Sequence, residues 1–493
     1  MKSCYQYLSL VNVVLISLLG GITSSRAAEG QPPNIVWIIV DDMSAHFSCY
    51  GETRIKTPHV DRLAREGTLF RKAFVTAPVC SACRSALITG MYQTSIGAHH
   101  HRSGRGTEKI HLPAGVEPVP ARFQRAGYYT AIGGPLAKGD KLAKTDYNFA
   151  WNPEIYAAND WSGRQPGQPF FMQVQLHGGK YREGKNWSET VHVALGTATS
   201  PAVVQLPLYY PDDQVLREDW AQYLDAVRYT DQQVGQVIDR LEKEGLLDQT
   251  VVIFTTDHGI SHARGKQFLY DEGIHVPLII RGPGIPRGVI REDLAQQIDL
   301  AATSLALAGI AIPETMQGRD LFQASDLPRE AVFSARDRCD ETVEHLRSVR
   351  TAAYKYIRNG YPHRPHLQPN AYKDGKPIVQ RLRELHAQQQ LNPLQELMLF
   401  AQRRPEEELY DLRVDPHEIH NLAEEPAHQA TLLELRKRLD RWMIETNDQG
   451  RRPESLARYD SDMQVYLDSK NTELNAILQQ NIAQMKQWAA EGK

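Results

Sequence analysis

With 493 residues the chain exceeds what one ordinary core serves, so a large domain with a smaller companion is expected. Its 56 basic and 59 acidic residues leave a formal net charge of −3, which excludes the strongly basic balance of a nucleic-acid binder. Five cysteines in so long a chain also exclude a disulfide scaffold.

Lys2 precedes an apolar run from Leu8 to Leu19, and small residues close the segment at Ala27-Ala28. This is the pattern of a signal peptide over residues 1–28: a basic start, an apolar stretch too short to span a bilayer comfortably, and a small-x-small cleavage site. No basic stop-transfer flank follows, which favours cleavage over a single N-terminal anchor. The expectation is an exported protein, periplasmic or secreted and not integral to the membrane. Cleavage would leave Cys49, Cys80, Cys83 and Cys339, of which Cys49 and Cys339 read as buried small hydrophobes.

Asn34-Ile-Val-Trp-Ile-Ile-Val40 is an unbroken apolar, largely β-branched run that ends at Asp41-Asp42. Such a run predicts a strand buried on both faces, as in a parallel sheet covered by helices. Open α/β sheets gather their ligands at the carboxyl ends of strands, where these two acids fall. Thr57-Pro58 opens a helix with Val60, Leu63 and Ala64 at helical spacing. Phe170-Phe-Met-Gln-Val-Gln-Leu176 predicts a second buried strand, ending at His177. Val251-Val-Ile-Phe254 predicts a third, running into Asp257-His258-Gly259. Three strand ends with metal-ligand residue types point to one site on the carboxyl edge of the sheet.

Helical patterns fill 220–244 and 300–308, and the alternation of strand and helix predicts an α/β fold with a large, mostly parallel sheet covered on both faces. Beyond about residue 330 the texture changes to short strand-like pieces (331–333 and 354–357) and a charged, helix-prone stretch. The expected organisation is a signal peptide over 1–28, a catalytic domain over 29–330 and a smaller α+β domain over 331–493. Its helical tail, from about Pro453, would pack on the body or make an oligomer contact.

Cys80-Ser81-Ala82-Cys83-Arg84-Ser85-Ala86-Leu87-Ile88-Thr89-Gly90 resembles the signature of type I sulfatases, in the alkaline phosphatase superfamily: Cys-x-Pro-x-Arg, a short apolar helix start, then Thr-Gly. Ala82 stands where that signature usually has proline. Pro33-Asn34 through Asp41-Asp42 resembles the family's opening strand and metal pair, Thr57 to Ala64 its first helix, and Thr256 to Gly259 its second metal pair. Gly265-Lys266 with Glu272 to Leu278 resembles its sulfate-binding lysine region, and Glu408 to Leu412 with Asp415-Pro416 its C-terminal element. In order and spacing these pieces cover nearly all of the mature chain. The resemblance implies an alkaline-phosphatase-like fold and hydrolysis of sulfate esters. It also implies a formylglycine (3-oxoalanine) made from Cys80 by a formylglycine-generating or radical maturation enzyme.

A sulfate ester spreads negative charge over its oxygens and has a poor alkoxide leaving group. Its hydrolysis needs a nucleophile, cations on the non-bridging oxygens and a proton for the leaving oxygen. The resemblance makes oxidised Cys80 the nucleophile: one hydroxyl of the hydrated aldehyde attacks sulfur and the other expels sulfate. It assigns Asp41, Asp42, Asp257 and His258, with residue 80, to an ion. Mostly oxygen donors indicate a hard cation, Ca²⁺ before Mg²⁺, while the histidine leaves room for a transition metal. Taken singly, Asp41-Asp42 would also serve as helix caps and Asp257-His258-Gly259 as an Asp-initiated turn. Arg84 would orient the formylglycine, and the helix beginning near it aims N–H groups at the anion. Lys266 would contact sulfate, and Lys266 or His177 would protonate the leaving oxygen.

One element departs from the family pattern. Its Gly-Lys-x-His after a Thr-Ala-x-Ile strand is replaced by Gly133-Gly134-Pro135-Leu136 after Thr130-Ala131-Ile132. Lys144-Thr145-Asp146 resembles the displaced element, with Asp146 where histidine would stand. Lys138 and Lys141 compete for the lysine role, and loop lysines of this kind are also simply solvated. His99, His100, His101 and Arg102 follow the nucleophile helix; with Arg336 and His345 they are the expected contacts to a polyanionic sugar. The expected substrate is a sulfated polysaccharide or its oligosaccharides. Alternatives are a sulfamate (N-sulfoglucosamine) hydrolase, a phosphodiester or phosphonate monoester hydrolase, and an unmatured protein that binds sulfated glycans without turnover.

Overall fold

The larger of two sheets is built from β1 (Asn34–Val40), β2 (Thr68–Phe74), β3 (Tyr129–Gly133), β4 (Phe170–Leu176), β5 (Thr250–Thr256), β6 (His275–Arg281) and β7 (Val289–Gln296) in the order β3-β4-β1-β5-β6-β2-β7. Every β1 residue is buried. Its side chains alternate between two cores: Val36, Ile38 and Val40 enter one, Ile35, Trp37 and Ile39 the other. That is what period-two geometry makes of an unbroken apolar run in a sheet covered on both sides. Neighbours β4 and β5 pair with β1 in parallel, and only β6 runs antiparallel to the strands beside it. The computed structural model describes residues 31–136, 140–323 and 328–493, so the expected signal peptide over 1–28 and Lys138 lie outside the described residues.

The predicted helices cover the two faces. α1 (Pro58–Glu66) and the long helix Gln214–Lys243 pack with the first core, and Asp299–Leu307 with the second. The strand pieces expected after residue 330 are part of a second sheet of β8 (Ala331–Arg336), β9 (Leu346–Thr351), β10 (Tyr354–Asn359) and β11 (Glu407–Asp411), all antiparallel. Pro32–Lys493 form one compact unit, and Ala335 N–H of the second sheet donates to Thr76 O beyond β2 at 2.9 Å. The tail helices Leu456–Asp468 and Thr472–Ala490 bury Tyr459, Met463, Tyr466, Leu478, Ile482 and Met485 against Ala371, so the tail packs on the body. No helix among the described residues is long and apolar enough to cross a membrane.

The packing also traps histidines. His262 has no exposed surface; its ring centroid lies 4.8 Å from that of Trp220, and Nε2 donates to Asp219 Oδ2 at 2.6 Å. Burial pushes this imidazole down to about 4, outweighing the pull of Asp219 in the other direction. In the unfolded chain the same group titrates near 6.5. Between those values the unfolded state takes up a proton that the folded state refuses, so stability present above pH 6.5 is lost as pH falls towards 4. The slope from this residue reaches at most about 1.4 kcal/mol per pH unit. Urea unfolding at a series of pH values should therefore show His262→Asn losing stability less steeply than the parent below pH 6.5. Equal slopes would contradict this account.

Candidate active site

Three parallel strands end level with one another. Val40 is in register with Leu176 of β4 and with Thr256 of β5, so Asp41-Asp42, His177-Gly178-Gly179 and Asp257-His258 leave the sheet at the same height. Asp257 N–H donates to Val40 O at 2.8 Å, and Met43 N–H to His258 O at 3.1 Å. Asp42 turns with a left-handed backbone, φ +52°, and its N–H donates to Asp257 Oδ1 at 3.1 Å. The loop after β4 passes so close behind this pair that a Cβ at Gly178 would lie 2.1 Å from Asp41 O, and one at Gly179 2.2 Å from Asp42 O. Only glycine fits such an approach, and the passage delivers Lys180 to the strand ends.

α2 (Cys80–Thr89) begins at Cys80, and all ten of its residues are buried. Extended Val79 gives it no side-chain cap; Ser81 N–H instead donates to His101 Nδ1 at 3.3 Å. One turn into the helix, Arg84 reaches back to the strands. It donates from Nε to Asp257 Oδ2 at 3.1 Å and from Nη1 to Gln175 Oε1 at 2.5 Å, and its Nη2 pairs with Asp41.

Cys80 Sγ lies 3.1 Å from His258 Nε2, 4.0 Å from Asp42 Oδ1, 3.5 Å from Lys266 Nζ and 3.7 Å from Lys180 Nζ. The donor atoms of Asp42, Cys80, Asp257 and His258 all lie within 4.8 Å of one another in buried positions, a possible metal-binding cluster. His258 Nδ1 sits 2.9 Å from Gly259 O. A carbonyl only accepts, so Nδ1 carries a proton. Burial works to lower the pKa of this imidazole, but Asp257, Cys80 and Asp42 outweigh it and raise the value; in the neutral form Nε2 is the nitrogen that offers a lone pair to the cluster. Lys266 Nζ is 3.1 Å from both oxygens of Asp42, and Tyr372 OH donates to Asp42 Oδ2 at 2.9 Å. Lys144 and Lys180 donate to Asp41 Oδ2 at 2.9 and 2.6 Å.

Charge sets the protonation states. Burial works to raise the Asp41 carboxyl, yet Arg84, Lys180 and Lys144 together hold it well below the usual carboxylate range. Burial likewise opposes ionisation of the Cys80 thiol, but Lys144, Lys180 and Lys266 bring it down to about 7. Cys83, three residues on, shows the contrast: burial first and Asp257 second push its thiol well up.

Comparison with known proteins settles what family such a site belongs to. Residues 33–310 match the family model "Sulfatase", and residues 258–364 match "N-sulphoglucosamine sulphohydrolase, C-terminal". The chain belongs to the sulfatase family. It is a sulfuric ester hydrolase. An ulvan-active sulfatase of Formosa agariphila is 33% identical, over 86% of this chain and 77% of that one. The N-sulphoglucosamine sulphohydrolase of Homo sapiens is 27% identical, over 85% and 91%. The solved structure of a 2-O GAG sulfatase shares the fold at a TM-score of 0.59, with 19% identity over 87% of this chain and 96% of that one.

The sulfatase brings most of the expected residues together. Asp42, Cys80, Arg84, Asp257, His258 and Lys266 converge as described, and Lys144 joins them across the displaced loop. Asp41 stands beside the cluster with its carboxylate given to Arg84, Lys144 and Lys180. Asp146 pairs with Arg102 at 3.3 Å and lies 3.6 Å from Lys144. His177 does not join: it is exposed, its ring packs edge-on against Tyr181 at 5.4 Å, and Lys180 reaches the site in its stead. Nor do the three histidines form an open cationic wall. His99, His100 and His101 are buried; His100 Nδ1 accepts from Arg338 N–H at 3.2 Å, and His101 Nδ1 faces Ser81 Oγ at 2.8 Å. Burial, then neighbouring positive groups, hold His100 and His101 well below their ordinary value, so they remain neutral ties between loops. Arg336 is buried near Glu344, 3.7 Å away, and His345 lies 3.3 Å from Asp337; neither contacts Cys80.

Lys180 and Tyr372 were not among the residues expected from sequence. The Gly178-Gly179 pair after a buried strand was the one signal for Lys180. Tyr372 comes from a polar stretch 330 positions from its partner Asp42, and nothing local marks it. Because Arg84 neutralises two buried carboxylates, Arg84→Met should lower the urea-unfolding free energy by about 3–5 kcal/mol. A loss under about 1 kcal/mol, the scale of an exposed pair, would show that this guanidinium is not the tie described.

Proposed function

We propose that this sulfatase removes sulfate from a sulfated polysaccharide or its oligosaccharides, using formylglycine at position 80 and a calcium ion beside it. The observation that carries the reading is the meeting of Asp42, Cys80, Asp257 and His258 within 4.8 Å, with two lysine ammoniums within 3.7 Å of Sγ. In this structure the Cys80 thiol stands for the unconverted precursor of the nucleophile.

The donor set suits the ion. Two buried carboxylates, a third alongside, and an imidazole with its lone pair turned inward favour a hard divalent cation over a purely thiolate site. Asp42, Asp257 and His258 would hold it, with Asp41 adjacent. Bound together, the two groups supply an oxygen nucleophile and the positive charge that favours its ionised form. The protein supplies the rest. Arg84 fixes the first turn of α2 against the strand ends, so residue 80 keeps one orientation. Lys266 and Lys180 carry their protons at Nζ, where the non-bridging oxygens of an ester next to residue 80 would accept hydrogen bonds. Burial works against the charge on Lys266, but Asp42 and Cys80 raise its pKa well above the ordinary lysine value; the ammonium is therefore a fixed anion contact. Burial opposes the charge on Lys180 too, and Asp42, Cys80 and Asp41 raise its pKa in the same direction. What distinguishes it is exposure, since half-buried Lys180 can follow the departing oxygen where enclosed Lys266 cannot.

Export by the N-terminal segment and conversion of Cys80 by a maturation enzyme complete the reading. Support for a polysaccharide substrate comes from the ulvan-active relative, the more identical of the two at 33% against 27%. The match of residues 258–364 to the N-sulphoglucosamine sulphohydrolase C-terminal model supports a second reading, cleavage of N-sulfate.

Mass spectrometry of the peptide containing Cys80 should show a loss of about 18 Da, as an aldehyde replaces the thiol needed by no later step. An intact thiol in protein that releases sulfate would end the formylglycine reading. Sulfate release from defined oligosaccharides should favour O-sulfated over N-sulfated sugars, and the reverse order would select the second reading. Lys180→Met should lower kcat by about 10²–10³-fold, the usual scale for a lost transition-state donor; full activity there would return the proton-donor role to another group.

A further inference from the structure

We infer that the cavity beside α2 is a subsite for a second anionic group of the substrate, read by Arg105 together with Arg102. This rests on the sulfated-carbohydrate reading above and extends it from the ester to its surroundings.

The cavity has a volume of about 330 Å³ and begins at Ser81, the residue after Cys80. Its charged lining is Arg102, Arg105, Lys109 and a single acid, Asp146. Three cations facing one carboxylate is a local excess in a chain whose formal net charge is −3. Each cation has a different commitment. Lys109 Nζ holds the loop itself, donating to the carbonyls of Gly104, Arg105 and Gly106 at 3.0, 3.1 and 2.9 Å. Arg102 is tied to the nucleophile turn, its N–H donating to Ser81 Oγ at 2.8 Å. Its Nε bonds Asp146 Oδ1 at 3.3 Å, which leaves both Nη atoms without a hydrogen-bond acceptor among the described residues. Arg105 is half-buried, its guanidinium carbon 5.2 Å from the centroid of the Tyr466 ring. Among the described residues no hydrogen bond or ion pair reaches that guanidinium.

This distinguishes Arg105 from the cations around Cys80. Arg84, Lys144, Lys180 and Lys266 each face Asp41, Asp42 or Asp257, as a site for one ester group and one ion requires. A guanidinium backed by an aromatic ring is held in place, yet its donors stay open; that is the arrangement that takes two oxygens of one anion at once. The backbone points the same way. Arg102 and Asp146, paired across the cavity wall, both have left-handed φ, +54° and +52°, which non-glycine residues adopt where surrounding structure imposes it. The chemistry selected is an oxyanion carried by the sulfated sugar or its neighbour: the carboxylate of a uronic acid, or a second sulfate.

The test compares the matured full-length protein with Arg105→Met, which keeps the aliphatic stem on Tyr466, and with Arg105→Lys. Three matched disaccharides share the scissile sulfate: one with a uronic acid, its carboxyl-reduced counterpart, and the reduced sugar with a second sulfate. Arg105→Met should lower the ratio of kcat/KM for an acidic substrate over the reduced one by about tenfold to a hundredfold. The loss should fall mainly on KM, and Arg105→Lys should recover part of it. A drop confined to the uronic substrate assigns the carboxylate; one confined to the doubly sulfated substrate assigns the second sulfate. Calorimetric titration with disaccharides carrying only the second anionic group reads the subsite without turnover. Binding that depends on Arg105, with none of the three disaccharides cleaved, would sink the sulfated-carbohydrate substrate reading and keep the subsite. Unaltered binding and an unaltered ratio in Arg105→Met overturn the inference, as does an equal loss on acidic and reduced substrates.

Discussion

The arrangement depends on one guanidinium. Arg84 bonds a residue after β1, a residue after β5 and a residue on β4, from a helix whose first residue is Cys80. Three buried carboxylates this close would repel one another and take up protons. The cations prevent that, and Arg84 alone among them is anchored inside a wholly buried helix. It therefore converts a charge requirement into a positional one: the helix that carries Cys80 cannot shift relative to the acids without breaking two ion pairs in a dry interior.

The lysines have a different character. Lys144, Lys180 and Lys266 enter from three loops and share Asp41 and Asp42 between them. Flexible stems ending in a point charge can turn from a carboxylate to an incoming anion, as a fork-shaped guanidinium cannot. Rigid placement and adjustable charge are thus divided between two residue types within one small volume.

How far the sequence spoke depended on the kind of physics at each position. β1, β4 and β5 were legible because burial on both faces leaves an unbroken apolar run. β7 was not, since Val289–Gln296 exposes its first half and buries only its end. β9 misleads in another way: Leu346–Thr351 is almost fully buried yet reads as polar, because Arg347 spends its charge on Asp337 and Asp448. In the site, the resemblance at Cys80 and Arg84 and the acids at the strand ends pointed to residues that the fold brings together, and Lys144 meets Asp41 across a displaced loop. His177 misled because a histidine at a strand end is recognisable by type, whereas its direction is set by the two glycines behind it. Those glycines turn the chain so that the residue three places on enters, and the histidine faces water. His99, His100 and His101 misled for a related reason. Composition suggested charge, and burial removed it.

The enclosure of α2 bears on the order of events in the cell. Cys80 retains about 1% of its exposure and every other residue of its helix is covered, so the folded protein offers no macromolecule a grip on that segment. Under the proposed maturation, the oxidising enzyme must meet residues near 80 as an extended ribbon, before the helix docks between its two cores. Folding then closes a window in time: a chain that collapses too early is sealed with sulfur at its centre, native in outline and without its nucleophile.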